Sequence, residues 1–233
     1  MFNGKMKAIT FSYDDGVKQD ERLVALFNKY GLKATFNLNS QYLGGTGRLK
    51  CEGSIYVDHN KIAPEDVRRI YAGHEIASHT LTHPRLPDIE DEAEIIRQVE
   101  CDRLALSELA GYEVIGFAYP CGGQNFDHRV SEIIRKNTGV KYCRTIVPSY
   151  SFEAQENLYE FNPTVHHPKF DDLNALADKF LSANPESPML FYVWGHSYEF
   201  DIHDTWDQFE EFCKKVSGRS DIFYGTNKEC LLP

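Results

Sequence analysis

The sequence predicts an α/β fold built on parallel strands, either a barrel or a doubly wound sheet. Short apolar runs of strand length alternate with amphipathic helical patterns about seven times. No Pro/Gly-rich or single-charge linker interrupts them, so residues 1–233 read as one domain. The third observation is where the polarity falls. Four apolar runs stop at residues that carry chemistry: Asp14-Asp15, His79 with His83, Tyr119-Pro120-Cys121, and Gly195-His196. Parallel α/β folds gather the C-terminal ends of their strands on one face, so these four stretches are expected to meet.

The bulk properties narrow the classes. At 233 residues and 42% hydrophobic content, the chain has enough apolar material for a substantial core. Its net charge of −10, from 25 basic against 35 acidic residues, and the lack of any basic cluster argue against nucleic acid as a partner. No apolar stretch approaches a membrane span. No leader-length run precedes the first strand, so the chain as given reads as cytoplasmic; secretion would require a leader already removed. The six cysteines are scattered without a CxxC pair and are expected to be reduced and mostly buried.

In chain order, Met6 to Phe11 is the first strand and delivers Asp14, Asp15 and Gly16. In isolation those carboxylates also suit an N-cap turn for the next helix. Residues 17–30 carry Leu23, Leu26, Phe27 and Tyr30 at helical spacing, with Gly31 placed to end the helix. Residues 34–38 form a second strand. Residues 40–60, rich in glycine and polar side chains, read as an excursion over the mouth of the fold. Pro64 opens a short helix that Gly73 ends. Residues 75–78 are a short strand running into His79. Residues 90–110 have the spacing of a long amphipathic helix closed by Gly111. Strands follow at 114–119, 140–145, 189–194 and 222–224, and helices at 126–137, 171–181 and from Asp204 or Thr205 to 217. Residues 147–168 show no period.

His79 and His83, in His-Thr-Leu-Thr-His, place two imidazoles on one side of a tight turn. A lone histidine is commonly a satisfied core or surface residue. A pair at this spacing, with a carboxylate from the first strand, suits one divalent ion with open coordination positions. His74 precedes its strand, at the opposite end, and is expected to be structural.

The Thr10-Phe11-Ser12-Tyr13-Asp14-Asp15-Gly16 stretch, the His79/His83 pair, the Tyr119-Pro120-Cys121-Gly122 turn and the final Gly195-His196 occur in the order found in the polysaccharide deacetylases. The chain from Thr10 to about His196 thus resembles the NodB-homology domain of carbohydrate esterase family four. The resemblance implies a distorted, TIM-barrel-like (β/α) barrel with about seven parallel strands, NodB-type. It implies a metal-dependent hydrolase that removes N-acetyl groups from an amino-sugar oligomer or polymer, its substrate being an N-acetylated carbohydrate. By position, Asp14 aligns with the catalytic base, and Asp15, His79 and His83 with the ligands of a divalent metal, Zn²⁺ first among the candidates. His196 aligns with the acid that protonates the leaving amine, and the Cys121 backbone amide with an oxyanion donor. Two rivals remain at this stage: hydrolysis of a non-sugar C–N amide on the same fold, and a catalytically impaired carbohydrate-binding relative.

Three departures bear on the expectations. The family's arginine two residues before the proline is replaced by Ala118, and Arg144, ending the next strand, is the candidate substitute. The fourth family motif, bearing aspartate and tryptophan, has no counterpart, although His166-His167-Pro168 falls in its region. Adjacent histidines on extended chain point opposite ways, so at most one would line a pocket. Glu199 is placed to orient His196 or else to be a plain loop acid. Tyr13, Tyr119, Phe126, Trp194 and Tyr198 are candidates for a sugar platform, with core packing as the plainer role.

Overall fold

Every residue of β1, Lys7–Asp14, is buried. A strand covered on both faces belongs at the centre of a parallel sheet, and that is where β1 lies. The computed structural model describes residues 2–51 and 56–232. The other strands are β2 (Ala34–Leu38), β3 (Arg48–Lys50), β4 (Tyr56–Asp58), β5 (Glu75–Ser78), β6 (Gly116–Ala118), β7 (Tyr142–Arg144), β8 (Val165–His166), β9 (Met189–Gly195) and β10 (Ile222–Tyr224).

Seven strands run parallel in the order β7-β6-β5-β2-β1-β9-β8, and β10 pairs with the beginning of β1. The two edges approach each other: Arg144 and Phe161 form an isolated parallel bridge, and the Thr145 amide donates to Phe161 O at 2.9 Å. The sheet is therefore the curled, incompletely closed barrel that the sequence predicts. The separate β3–β4 hairpin lies within the excursion at 40–60; residues 52–55 of that stretch fall outside the described residues.

Helices cover the outside. Asp20–Tyr30 ends on Gly31 at φ 65°, as its glycine predicts. The residue flanking its start is Gln19, so Asp14, which ends β1, and Asp15, which follows it, do not cap that helix. The long helix expected at 90–110 is a continuous run from Glu92–Ile96 through a π-helical turn, Arg97–Cys101, to Asp102–Ala110. The wide turn changes which side chains face the sheet, and Asp102 enters the interior. Three short elements carry too few periodic residues to be legible beforehand: β8, the helix Glu199–His203 and the terminal helix Asn227–Leu231.

The main apolar core lies between the sheet and the helices, with Phe11, Phe27, Phe36, Phe191 and Phe209 fully buried. The barrel interior is polar. Asn227 plugs it, donating to Tyr192 OH at 2.5 Å and Ser12 Oγ at 3.3 Å while accepting from Thr10 Oγ1 at 2.9 Å. Buried Glu75 accepts from Thr35 Oγ1 at 2.8 Å and Tyr142 OH at 3.0 Å. Satisfied networks of this kind fix relative strand positions, since breaking any member strands a buried polar group. All six cysteines are free; Cys143, Cys213 and Cys230 are buried, Cys51 and Cys121 half-buried, and Cys101 exposed. Among the described residues no helix is long and apolar enough to cross a membrane.

Candidate active site

Because the main-sheet strands are parallel, the C-terminal ends of β1, β5, β6, β7, β8 and β9 open on one side. Asp14 ends β1 and Asp15 follows it; His79 follows β5, Cys121 lies just beyond β6, Arg144 ends β7, and His196 follows β9. Asp15, Thr80, His83 and Cys121 take positive φ values of 83°, 69°, 55° and 71°. Non-glycine residues in that region cost of order 1–3 kcal/mol each, and such strain clusters at functional sites. Gly16, at φ 61°, turns the chain away beneath them; a Cβ there would meet Leu38 Cδ2 at 2.8 Å.

Asp15, His79 and His83 present one ligand atom apiece within 4.8 Å of one another. His83 Nε2 lies 3.6 Å and His79 Nε2 4.0 Å from Asp15 Oδ1. His79 Nδ1 is 2.8 Å from Ala118 O, which fixes the tautomer and leaves Nε2 facing the cluster, a common arrangement behind a metal-binding histidine. Burial pushes the His79 imidazole down to about 4 and lowers His83 as well, so both are neutral donors at physiological pH. Burial would raise Asp15, but His59, Lys61 and the nearby histidines outweigh it and hold the carboxyl well below its usual range. His59 Nε2 is 3.2 Å from Asp15 Oδ2, leaving Oδ1 toward the histidines. Two neutral imidazoles and an ionised carboxylate form a donor set that fits a divalent cation.

Beneath the histidines, Asp102 accepts from Ser78 Oγ at 2.6 Å, from His79 N at 3.2 Å and from Ser40 N at 2.7 Å. It thereby ties the turn after β5 to the start of the 40–60 excursion.

Asp14 Oδ2 also lies 4.0 Å from His79 Nε2, but the hydrogen bonds of Asp14 go elsewhere. Arg144, fully buried, brings Nη2 to 2.5 Å from both Asp14 oxygens, and Asn37 donates to Oδ1 at 2.8 Å. Burial pushes the Asp14 carboxyl up, yet Arg144, His79 and His196 overcome that and leave it below its ordinary value. The guanidinium also lies 4.7 Å from the Trp194 ring centroid. The arginine ending β7 is thus an interior partner of Asp14 and not a surface ion pair.

Across from Asp14, His196 Nε2 lies 4.0 Å from Asp14 Oδ2, while Nδ1 is 3.2 Å from Glu199 Oε2. Glu199 Oε2 also accepts from the His196 amide at 2.8 Å and sits 3.0 Å from His166 Nε2. It is no plain loop acid. Burial favours neutral His196, but the Glu199 charge and the two aspartates prevail and raise it to about 9. The adjacent histidines do diverge: His166 stacks on Trp194 at 4.2 Å, whereas His167 is buried against Phe200 at 4.1 Å.

The family model described as polysaccharide deacetylase matches residues 3–143. The chain belongs to the polysaccharide deacetylase family. Among solved structures, a putative polysaccharide deacetylase from Mycobacterium smegmatis superposes with TM-score 0.66 at 16% identity, covering 98% of this chain and 90% of that one. A family 4 carbohydrate esterase from Streptomyces lividans, in complex with acetate, gives 0.57 at 15% identity, with 95% and 92% covered. The deacetylase PplD from Streptococcus pyogenes, also with acetate, gives 0.50 at 19% identity; 65% of this chain matches it and spans 61% of its length. Other similar structures are described as family 4 pseudoenzymes. At these identities the structural likeness establishes the fold. No curated protein matches the chain.

At the mouth of this fold a cavity of about 230 Å³ has Asp14, Asp15, His79, His83, Cys121 and His196, the six residues singled out in the sequence, among its lining. Asn125 Nδ2 pins the turn beside it, donating to Tyr119 O at 2.9 Å and Cys121 O at 3.0 Å. A larger hollow of about 550 Å³ adjoins on the far side of Asp15 and His83, walled by Tyr42, Gly47 and His59 of the 40–60 excursion. The sugar-platform expectation needs correction at Tyr13: paired with Gly195 across the sheet, it is fully buried, its ring 5.5 Å from that of His167, because β1 is covered on both faces. Trp194 and Tyr198 do line the smaller cavity. His74 is structural as expected, its Nδ1 accepting from Ala34 N at 3.1 Å.

Glu199 gives a measurable consequence. Glu199→Gln removes the charge that raises His196, so the imidazolium should be lost at lower pH. The alkaline limb of kcat/KM, expected near pH 9 in the parent, should move toward neutrality in the variant. An unmoved limb would exclude His196 as the group that titrates there.

Proposed function

We propose that this polysaccharide deacetylase is a metal-dependent N-deacetylase that hydrolyses the acetamide of an N-acetylated amino-sugar oligomer or polymer. One observation carries the reading: Asp14, clamped by Arg144, stands beside the Asp15/His79/His83 set without belonging to it, and faces His196 at 4.0 Å. Amide hydrolysis needs a base for water and a separate acid for the amine, because an amine anion is a very poor leaving group.

Asp15, His79 and His83 would hold the cation, with Zn²⁺ the best match to two imidazoles and a carboxylate, and cobalt, nickel or iron also compatible. When bound, a divalent ion there supplies Lewis-acid polarisation of the acetamide carbonyl and acidifies water. Asp14, kept ionised by Arg144, accepts the proton of the attacking water. The backbone amide of Cys121 is the donor assigned to the developing oxyanion. His196, kept protonated by Glu199, gives its Nε2 proton to the departing amine. The C–N bond breaks as acetate forms, the acid also found with two of the similar structures. Asp14, Asp15, both histidines and His196 are all present, and Arg144 occupies the place of the missing arginine; this favours an active enzyme over an impaired relative.

Acetate release from N-acetylglucosamine oligomers should disappear after chelation and return with Zn²⁺. His79→Ala should lose both metal and turnover. Turnover unaffected by complete metal removal would overturn the proposal. A panel of small non-sugar amides, run beside the oligomers, separates the substrate classes.

A further inference from the structure

We propose a second divalent-cation site, formed by His166, His196 and Glu199, whose occupation disables His196 as the acid. The inference deepens the function proposed above and rests on it for the role of His196.

The three side chains offer ligand atoms within 4.8 Å of one another, and they share none with the Asp15/His79/His83 set. Both imidazoles converge on a single oxygen: His166 Nε2 lies 3.0 Å and His196 Nδ1 3.2 Å from Glu199 Oε2. The fold builds this arrangement rigidly. β8 and β9 are adjacent parallel strands with His166 opposite Trp194, so His166 comes beside the chain that leads to His196. Stacking of His166 on Trp194 at 4.2 Å fixes its ring.

A further feature points to the same spot. His167 is fully buried, neither of its ring nitrogens has a hydrogen-bond partner among the described residues, and Nδ1 lies 3.9 Å from Glu199 Oε2. Three imidazoles therefore surround one carboxylate oxygen. Histidine nitrogens with a carboxylate are the donors that zinc and its borderline neighbours select. The site is open to solvent, since the His166 side chain is 29% exposed.

The consequence follows from imidazole chemistry. His196 acts as an acid only when both nitrogens carry protons, Nδ1 toward Glu199 and Nε2 toward Asp14. An ion on Nδ1 takes the place of one proton and leaves an imidazole that no longer gives up the other at neutral pH. The cation that supports activity at the first site would then inhibit at the second when in excess.

Equilibrium dialysis of the full chain against Zn²⁺ alone, followed by metal analysis, reads the stoichiometry directly. The parent should hold two ions per chain, His166→Ala and the near-isosteric Glu199→Gln one each, and His79→Ala one. Titration with Co²⁺ should show a second absorption change in the parent that both second-site variants lack. One ion in the parent, removed by His79→Ala, would overturn this proposal and leave the proposed function intact. A second ion that persists in both His166→Ala and Glu199→Gln would also overturn it. Binding of no ion at all would overturn the proposed function together with it.

Discussion

Arg144→Met is expected to destabilise the protein by ~3–5 kcal/mol and to remove most turnover, although Arg144 lies outside every motif of the family. The Arg144–Asp14 pair is interior, with the two side chains 0% and 2% exposed. Removing the guanidinium strands a carboxylate whose remaining close donor is Asn37 Nδ2 at 2.8 Å. Burial already pushes that carboxyl upward, and without Arg144 less opposes the rise, so Asp14 is more readily protonated and loses the contact that orients it as a base. The sign of the pH effect follows. In the parent the folded pKa lies below the ordinary 3.8, so the stability from ionised Asp14 is present above 3.8 and lost as pH falls through the depressed value. In Arg144→Met the folded pKa rises, so the same carboxylate costs stability at neutral pH and ceases to do so in acid. Arg144→Lys keeps a charge but not the second nitrogen that donates to Thr145 O and anchors the group, and should fall between the two. The double variant Arg144→Met/Asp14→Asn should regain part of the stability and none of the turnover. Denaturant melts and kcat check each arm; an unchanged midpoint for Arg144→Met would refute the role given to the pair.

The strand-and-helix alternation was legible because each element buries one face against the parallel sheet, which writes a period into the sequence. Six of the residues lining the small cavity were legible for a related reason: polar groups that end buried apolar runs have no packing purpose there. What stayed hidden depends on distance across the sheet. Arg144 and Asp14 are 130 positions apart and meet only because the sheet curls until its β7 edge faces β1 across the interior. The register that brings them together is set by interior side chains, such as Asn227 against Ser12, from segments that show no period of their own. Asp102 was hidden for a local reason. An ideal helix over 90–110 gives no sign of the π-helical turn that delivers its carboxylate to the amide of His79. Glu199 was legible as a candidate because it follows His196 by three positions, yet its second partner, His166, comes from β8, a strand too short to announce itself.

Asp14→Asn should lower kcat by roughly 10²–10⁴-fold while metal content stays at the parental level. The amide keeps the shape and one acceptor oxygen, so Arg144 and Asn37 retain partners and the fold should persist with a lower melting temperature. What disappears is the capacity to take a proton from water. Asp15→Asn is the necessary contrast. Its oxygen faces the two histidines, with His83 Nε2 at 3.6 Å, so this change should weaken metal binding and remove turnover through that loss. Adding excess metal should then restore part of the activity to Asp15→Asn and none to Asp14→Asn. The two carboxylates are sequence neighbours, yet opposite contacts distinguish them: a buried guanidinium for Asp14, and His59 with Lys61 for Asp15. If Asp14→Asn lost the metal and Asp15→Asn kept it, the two assignments would have to be exchanged. Arg144 would then be holding a ligand, and Asp15, beside His59 and Lys61, would be the base.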